Sequence, residues 1–163
     1  GALEKKVTIG DTLNIWIFSF IGNLIGSILL AYMYAQSGLS AGAVGEFIGK
    51  VSSVKMSVPA LELFIRGILC TIMVCLAVWC SFKLKEEMAK LIMIFWCLFV
   101  FITAGFEHSI ANMTLLAIGL FIPHPETVTV SGYLYNIGFV TLGNMVGGIL
   151  FVALTYWYVP KEK

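Results

Sequence analysis

Charge is what this chain of 163 residues has least of: ten Lys or Arg and nine Asp or Glu, 12% in all. An ordinary soluble domain carries about 25%. With 60% apolar residues and a mean hydropathy of +0.97, too little polar surface remains to solvate a freely soluble domain. The same hydrophobicity excludes intrinsic disorder, which needs few apolar residues and a high net charge. The net charge is +1 and no basic cluster occurs, so nucleic acid is excluded as a partner. Neither G-x-x-x-x-G-K-[ST] nor G-x-G-x-x-G occurs, which leaves ATP-driven transport without support. There are four prolines and no Pro-rich or low-complexity linker. Cys70, Cys75, Cys80 and Cys97 all lie inside apolar runs and lack the paired spacing of a zinc site. They read as small buried thiols, and the sequence calls for no metal and no cofactor.

Long apolar runs fill the chain instead: Leu13–Ala35, Gly67–Phe82, Leu91–Gly105, Ile110–Ile122 and Tyr133–Val159. A helix needs about 20 apolar residues to cross a ~30 Å hydrocarbon core. An all-α integral membrane protein follows, with spans over 12–35, 62–82, 88–122 and 133–159. The first run is too long for a secretory signal and lacks the small-residue cleavage pattern. If the spans alternate, Lys5, Lys6, Lys83, Lys85, Lys90, Lys161 and Lys163 gather on one side and Lys50 and Lys55 on the other. Positive residues stay in the cytoplasm. Both termini are therefore expected there, in a multi-pass protein of the plasma membrane (the bacterial inner membrane), with loops 36–61 and 123–132 outside. Gly38, Gly42, Gly45 and Gly49 predict a short helix or a close-packed turn in the first of those loops.

Two segments repeat. Gly22-Asn23-Leu24-Ile25-Gly26-Ser27-Ile28-Leu29-Leu30 matches Gly143-Asn144-Met145-Val146-Gly147-Gly148-Ile149-Leu150-Phe151 at five of nine positions, at an offset of 121. Small-residue helix faces explain the glycines, but not the Asn beside each. The lysine count makes the copies run in opposite directions, and such a repeat contains an odd number of spans. The second unit, 55–159, would hold three. The first would keep only its third span, 12–35, with two spans and about 66 residues missing ahead of Gly1.

Residues 88–122 would measure about 52 Å as one helix at 1.5 Å per residue, too long for a straight crossing. In their middle stands Gly105-Phe106-Glu107-His108-Ser109. An ionisable residue at membrane depth marks a functional site by default, and irregular backbone is tolerated there only inside protein or beside a water-filled cavity. A break at 105–109 would leave a half-helix starting near His108-Ser109 with its positive end toward the membrane centre, a geometry that suits an anion. Glu107 alternatively reads as a structural charge paired with a Lys, and His108 as a core histidine bonded across helices. His124, between Pro123 and Pro125, reads as a solvated loop residue.

The run Phe106-Glu107-His108-Ser109-Ile110-Ala111-Asn112-Met113 resembles the signature of the formate/nitrite transporter family. So do Val140-Thr141-Leu142-Gly143-Asn144 with Gly147-Gly148, and Arg66-Gly67-Ile68-Leu69-Cys70 with the segment through Trp79. The likeness covers essentially the whole chain and is greatest to the nitrite and hydrosulfide branches. It implies an aquaporin-like fold of two inverted three-span repeats with broken second and fifth spans. It also implies a homopentamer in the lipid bilayer, each protomer with its own pore for small monovalent anions such as formate, nitrite or hydrosulfide. By resemblance His108 is the central pore histidine, Asn144 the asparagine that contacts it, and Phe101 the inner aromatic constriction. Lys55 is the lysine beneath the outer vestibule, and Glu107 and Asn112 belong to a supporting polar network. Where the family has Asn after Gly-Ile-Leu-Cys, this chain has Thr71. The family's first broken helix has no counterpart here, so the missing amino-terminal part of the same protein is expected to complete the pore.

The expected function is a channel or transporter for small anions, passive or proton-linked through His108, and not an enzyme. A membrane enzyme would need a catalytic set, and a single His at membrane depth does not supply one. A structural or assembly subunit without its own pore is the alternative.

Overall fold

The computed structural model describes residues 4–159. Its helices are α1 (Ile9–Gln36), α2 (Ala43–Met56), α3 (Ala60–Lys83), α4 (Glu87–Thr103), α5 (Ser109–Phe121) and α6 (Val130–Val146). The last runs on through a π-helical stretch, Gly147–Leu154, into α7 (Thr155–Tyr158). Three of these rods are long and apolar enough to cross a membrane: Ile9–Gln36, Ala60–Lys83 and Val130–Tyr158. The expected fourth span is two shorter helices, α4 and α5, separated at residues 104–108. At 1.5 Å per residue they measure about 25 and 20 Å, so neither spans a bilayer alone.

α1 and α6 start where the sequence offers a side-chain cap. Thr8 and Asp11 form a capping box for α1: the Thr8 hydroxyl accepts from Asp11 N–H at 3.0 Å, and the Asp11 carboxylate accepts from the Thr8 amide at 3.3 Å. The Thr129 hydroxyl accepts from Gly132 N–H at 3.0 Å, which starts α6 three residues before the predicted span. The glycines of loop 36–61 do build a short helix: α2 begins after Gly42, whose φ of +61° favours glycine. Its buried face is Gly45, Ile48, Gly49, Ser52 and Met56.

α5 is the hub. Its Met113, Leu116, Ala117 and Ile118 join Ala31 of α1, Ile48 and Met56 of α2, and Tyr133 and Ile137 of α6 in one buried cluster. α3 lies between α4 and α6. The α3–α6 crossing is backbone on backbone: a Cβ at Gly143 would sit 2.2 Å from the Phe64 carbonyl, one at Gly147 2.5 Å from the Ile68 carbonyl, and one at Gly67 2.8 Å from the Val140 carbonyl. Gly143 and Gly147 are thus a small-xxx-small seam facing Gly67. Gly22 and Gly26, their partners in the repeat, meet nothing within 4 Å. α1 and α6 do not close on one another; clefts of about 680, 450 and 310 Å³ lie along their line of approach.

The outward faces are oily. Phe18 and Ile25 on α1, Phe82 on α3 and Leu91 on α4 are 74%, 62%, 80% and 62% exposed, more apolar surface than water tolerates. Lys83 is stacked over the Trp79 ring at 4.8 Å, and Trp79 lies 4.5 Å from Tyr156, an aromatic end of the interfacial kind. Lys161 and Lys163, used in the charge count, fall outside the described residues.

Candidate functional site

The break is built by passing hydrogen bonds from one helix to another. α4 ends with Ala104 N–H on the Val100 carbonyl at 2.9 Å, and Phe106 N–H on the Phe101 carbonyl at 3.1 Å. Gly105 between them has φ +72°, a conformation costly for any residue with a Cβ. The next amide, Glu107 N–H, turns away to the Arg66 carbonyl of α3 at 3.3 Å. His108 then caps α5: it is extended (φ −111°, ψ 118°), its carbonyl takes the first helical bond from Asn112 N–H at 2.9 Å, and its Nδ1 accepts from Ala111 N–H at 3.4 Å. A neutral imidazole that accepts at Nδ1 carries its proton on Nε2. The ring is half-buried, with the Phe101 ring centroid 6.1 Å away.

Asn144 of α6 staples this corner. Its Oδ1 accepts from Ser109 N–H at 2.9 Å, and its Nδ2 donates to the Gly67 carbonyl at 2.8 Å and the Glu107 carbonyl at 3.0 Å. The resemblance implied a contact with the imidazole. Two of those three bonds run instead to backbone on either side of His108 and the third to α3, since the seam glycines bring α6 close to main chain. One side chain thus satisfies orphan groups on α3, the break and the start of α5 together.

A closed ring of polar side chains lies behind the histidine. Glu107, 2% exposed, accepts from Lys55 Nζ at 2.6 Å and from the Asn112 amide. Asn112 also donates to Asn136 Oδ1 at 2.9 Å, and Asn136 Nδ2 donates to the Lys55 carbonyl at 2.9 Å. The ring ties together α2, the break, α5 and α6. Glu107 is therefore the Lys-paired charge the sequence allowed for, and it offsets the positive charge expected of Lys55. Asn136, fully buried, escaped the sequence reading, since nothing in its spacing tells that it faces Asn112. Thr71, in the place of the family's Asn, sits elsewhere: its methyl lies 3.2 Å from where a Gly148 Cβ would stand.

The site has two unlike sides. Asn144, Ser109 and Asn23 line the 450 Å³ cleft between α1 and α6, and Thr141 beside them has a buried hydroxyl with no partner among the described residues. Lys55 and Glu107 instead line a separate cavity of about 370 Å³ with Arg66 and Gly105. His124 is exposed in its loop, its Nδ1 2.9 Å from the Pro125 carbonyl. The four cysteines are free thiols, Cys70 and Cys97 buried and the other two partly so.

Residues 1–158 match the family model described as "Formate/nitrite transporter". The chain is 46% identical to "Uncharacterized transporter YwcJ" of Bacillus subtilis, over 99% of this chain and 64% of that protein. It is 44% identical to "Nitrite transporter NirC" of Escherichia coli, over 100% and 61%. It thus spans less than two thirds of the length of these curated relatives. Among solved structures it resembles an "FNT family ion channel" (TM-score 0.90, 37% identity, 98% of this chain and 64% of that one). A "Pentameric formate channel with formate bound" also matches (TM-score 0.84, 29% identity, 94% and 68%).

Proposed function

Because the chain belongs to the formate/nitrite transporter family, we propose that it forms part of a membrane channel for a small monovalent anion such as nitrite, formate or hydrosulfide. The observation that carries this reading is the interrupted crossing whose second half begins at an imidazole. A bare anion in hydrocarbon costs many kcal/mol. A helix start, an Nε2 proton and the dipoles held by Asn144 lower that cost without any motion of the backbone. Phe101 beside the ring keeps the passage narrow and apolar. His108 then acts as a hydrogen-bond donor or, by giving up a proton, lets the anion cross as its neutral acid. The Lys55–Glu107–Asn112–Asn136 ring fixes the residue before His108 and so positions the imidazole.

Assembly belongs to the same proposal. One similar solved structure is a pentameric formate channel, and a homopentamer with one route per protomer fits the oily outward faces. The repeat supports an inverted, aquaporin-like pairing. Gly143 and Gly147 receive a helix, whereas the matching Gly22, Asn23 and Gly26 face of α1 is open. In the whole protein that face takes a helix of the same kind, and Asn23 serves a second break as Asn144 serves this one. Lys5, Lys6, Lys83, Lys85 and Lys90 support a cytoplasmic side for the α1 start and the α3–α4 turn.

The test is uptake into liposomes by the full-length protein and its His108→Phe variant, across pH 5–8, with formate, nitrite and hydrosulfide. The variant is expected to assemble normally and to lose uptake or its pH dependence. A variant with wild-type flux and an unchanged pH profile removes the proton-linked mechanism, and a wild type that passes none of the three removes the channel.

A further inference from the structure

We infer that Ser52 and Gly119 are positioning residues for the break: their contact fixes how closely α2 lies on α5, and so where Lys55 meets Glu107 and Asn136. Its effect on transport rests on the channel reading above. Ser52 is fully buried, and its hydroxyl has no hydrogen-bond partner among the described residues. Gly119 lies directly opposite. A Cβ on Gly119 would stand 2.3 Å from Ser52 Oγ and 2.8 Å from Ser52 Cβ. The hydroxyl therefore fills the space of the side chain that Gly119 lacks, facing only a Cα hydrogen, which is a weak donor. What this serine contributes is a shape that fits one glycine.

Two looser contacts flank this one. A Cβ on Gly49 would lie 3.3 Å from Pro125 Cδ, and one on Gly132 3.0 Å from Met56 Cβ. Residues 49, 52 and 56 share one side of α2, and the middle contact is the tightest. Lys55 follows Ser52 within one turn, and both of its bonds to the ring depend on the depth at which α2 sits. Its Nζ meets Glu107 at 2.6 Å, and its main-chain carbonyl accepts from Asn136 Nδ2 at 2.9 Å. A lysine stem can follow a small displacement of α2; a carbonyl cannot. Carbon atoms rest about 3.5 Å apart, so alanine at 119 moves α2 outward by about 0.7 Å even if Oγ swings aside. A displacement of that size takes the Asn136 bond to the outer limit of hydrogen-bond geometry, and the loosened ring no longer fixes the residue before His108. Intrinsic propensity points the other way, since Gly→Ala inside a helix ordinarily stabilises it. The sign of the effect therefore separates this contact from a plain helical position.

The experiment uses the full-length protein and two separate readouts: initial formate and nitrite uptake into phosphatidylcholine liposomes, and thermal unfolding in detergent. Gly119→Ala is expected to lower uptake about tenfold, as a sub-ångström misplacement can, and to lower the unfolding midpoint where propensity alone would raise it. Ser52→Gly weakens α2 by itself. Added to Gly119→Ala, it is nevertheless expected to raise the midpoint and to bring uptake within about twofold of wild type, because the volume lost matches the volume gained. A third arm asks whether the effect passes through Lys55. Gly119→Ala placed on Lys55→Met is expected to change uptake by less than about twofold, whereas a contact that only supports the fold adds its full loss. Should Gly119→Ala alone not assemble, recovery of assembly and uptake by Ser52→Gly supports the inference, and no recovery overturns it. A Gly119→Ala midpoint at or above wild type, no rescue by Ser52→Gly, or full additivity on Lys55→Met each overturns the positioning role and leaves the channel standing. A wild type that passes neither anion overturns the channel, and the midpoints of Gly119→Ala and its rescue then decide the contact by themselves.

Discussion

Replacing Lys55 with Met gives a numerical test of the ring behind the histidine. Glu107 is 2% exposed, and its Oε2 is held by Lys55 at 2.6 Å and by the Asn112 amide. Methionine keeps the length of the stem and deletes the charge, so a carboxylate is left in the protein interior with one neutral donor. Removing one partner of a buried pair costs about 3–5 kcal/mol. The 22% exposure of the Lys55 side chain lets water reach the vacated place, which puts the cost at the lower end, about 3 kcal/mol. At about 2–4 °C per kcal/mol this is a fall of roughly 6–12 °C in the midpoint of thermal unfolding. Glu107→Gln removes the charge at the other end and keeps an oxygen for Asn112, and the partly exposed Lys55 side chain retains access to water; the expected loss is about 1–2 kcal/mol. The double variant has no buried charge left to strand. It is expected to be more stable than Lys55→Met alone by about 1 kcal/mol, so the losses of the two single variants overshoot that of the double by about 2–3 kcal/mol, a coupling within the range found for residues in one network. The assay is thermal unfolding of the detergent-solubilised full-length protein, followed by loss of the assembled peak on size exclusion. Strict additivity, with the double variant below both singles, would show that Glu107 does not depend on Lys55 for its charge, and the ring would lose its role.

The other predictions address the break itself. His108→Asn keeps a good helix cap but removes the titrating ring, so protein yield and melting should match wild type while uptake becomes flat between pH 5 and 8; a retained pH profile places the titration elsewhere. Asn144→Ala deletes bonds to Ser109, Gly67 and Glu107 and should reduce flux at least tenfold, at about 1 kcal/mol of stability per bond lost; full activity would mean the corner holds without its staple. Gly143→Leu forces a side chain onto the Phe64 carbonyl, 2.2 Å from the first added carbon, and should prevent assembly, whereas Gly22→Leu, where nothing lies within 4 Å, is harmful only if another helix covers that face in the whole protein. Blue-native electrophoresis separates the two outcomes.

Much of this architecture is legible in the residues because membranes narrow the choices. Glu107 and His108 in the middle of an overlong apolar run announce an interrupted helix, and Gly105 supplies the left-handed turn that ends α4. Glycines four apart foretell both α2 and the seam, since a missing Cβ is the only way for backbones to come within reach. The partner of each polar group is less legible. Asn136 meets Asn112 across two helices whose relative rotation depends on the seam, and no local pattern encodes that angle. Asn144 is visible as a repeat residue, but its three backbone partners arise only once Gly143 and Gly147 have closed on α3. The π-helical stretch Gly147–Leu154 is equally hidden, because an inserted residue in the helical ladder is a product of packing.

The contact between α3 and α6 leaves no clearance for sliding. Where carbonyl oxygens rest almost against opposing Cα atoms, a shift of a fraction of an ångström along the axis is already a collision, and a tilt opens one rung by jamming the next. These two helices, with the asparagine between them, must travel as a single girder. Any opening and shutting of the molecule is left to what hangs on that girder: α1 across its clefts, α2 over the cavity beside Lys55, and the aromatic end of α4.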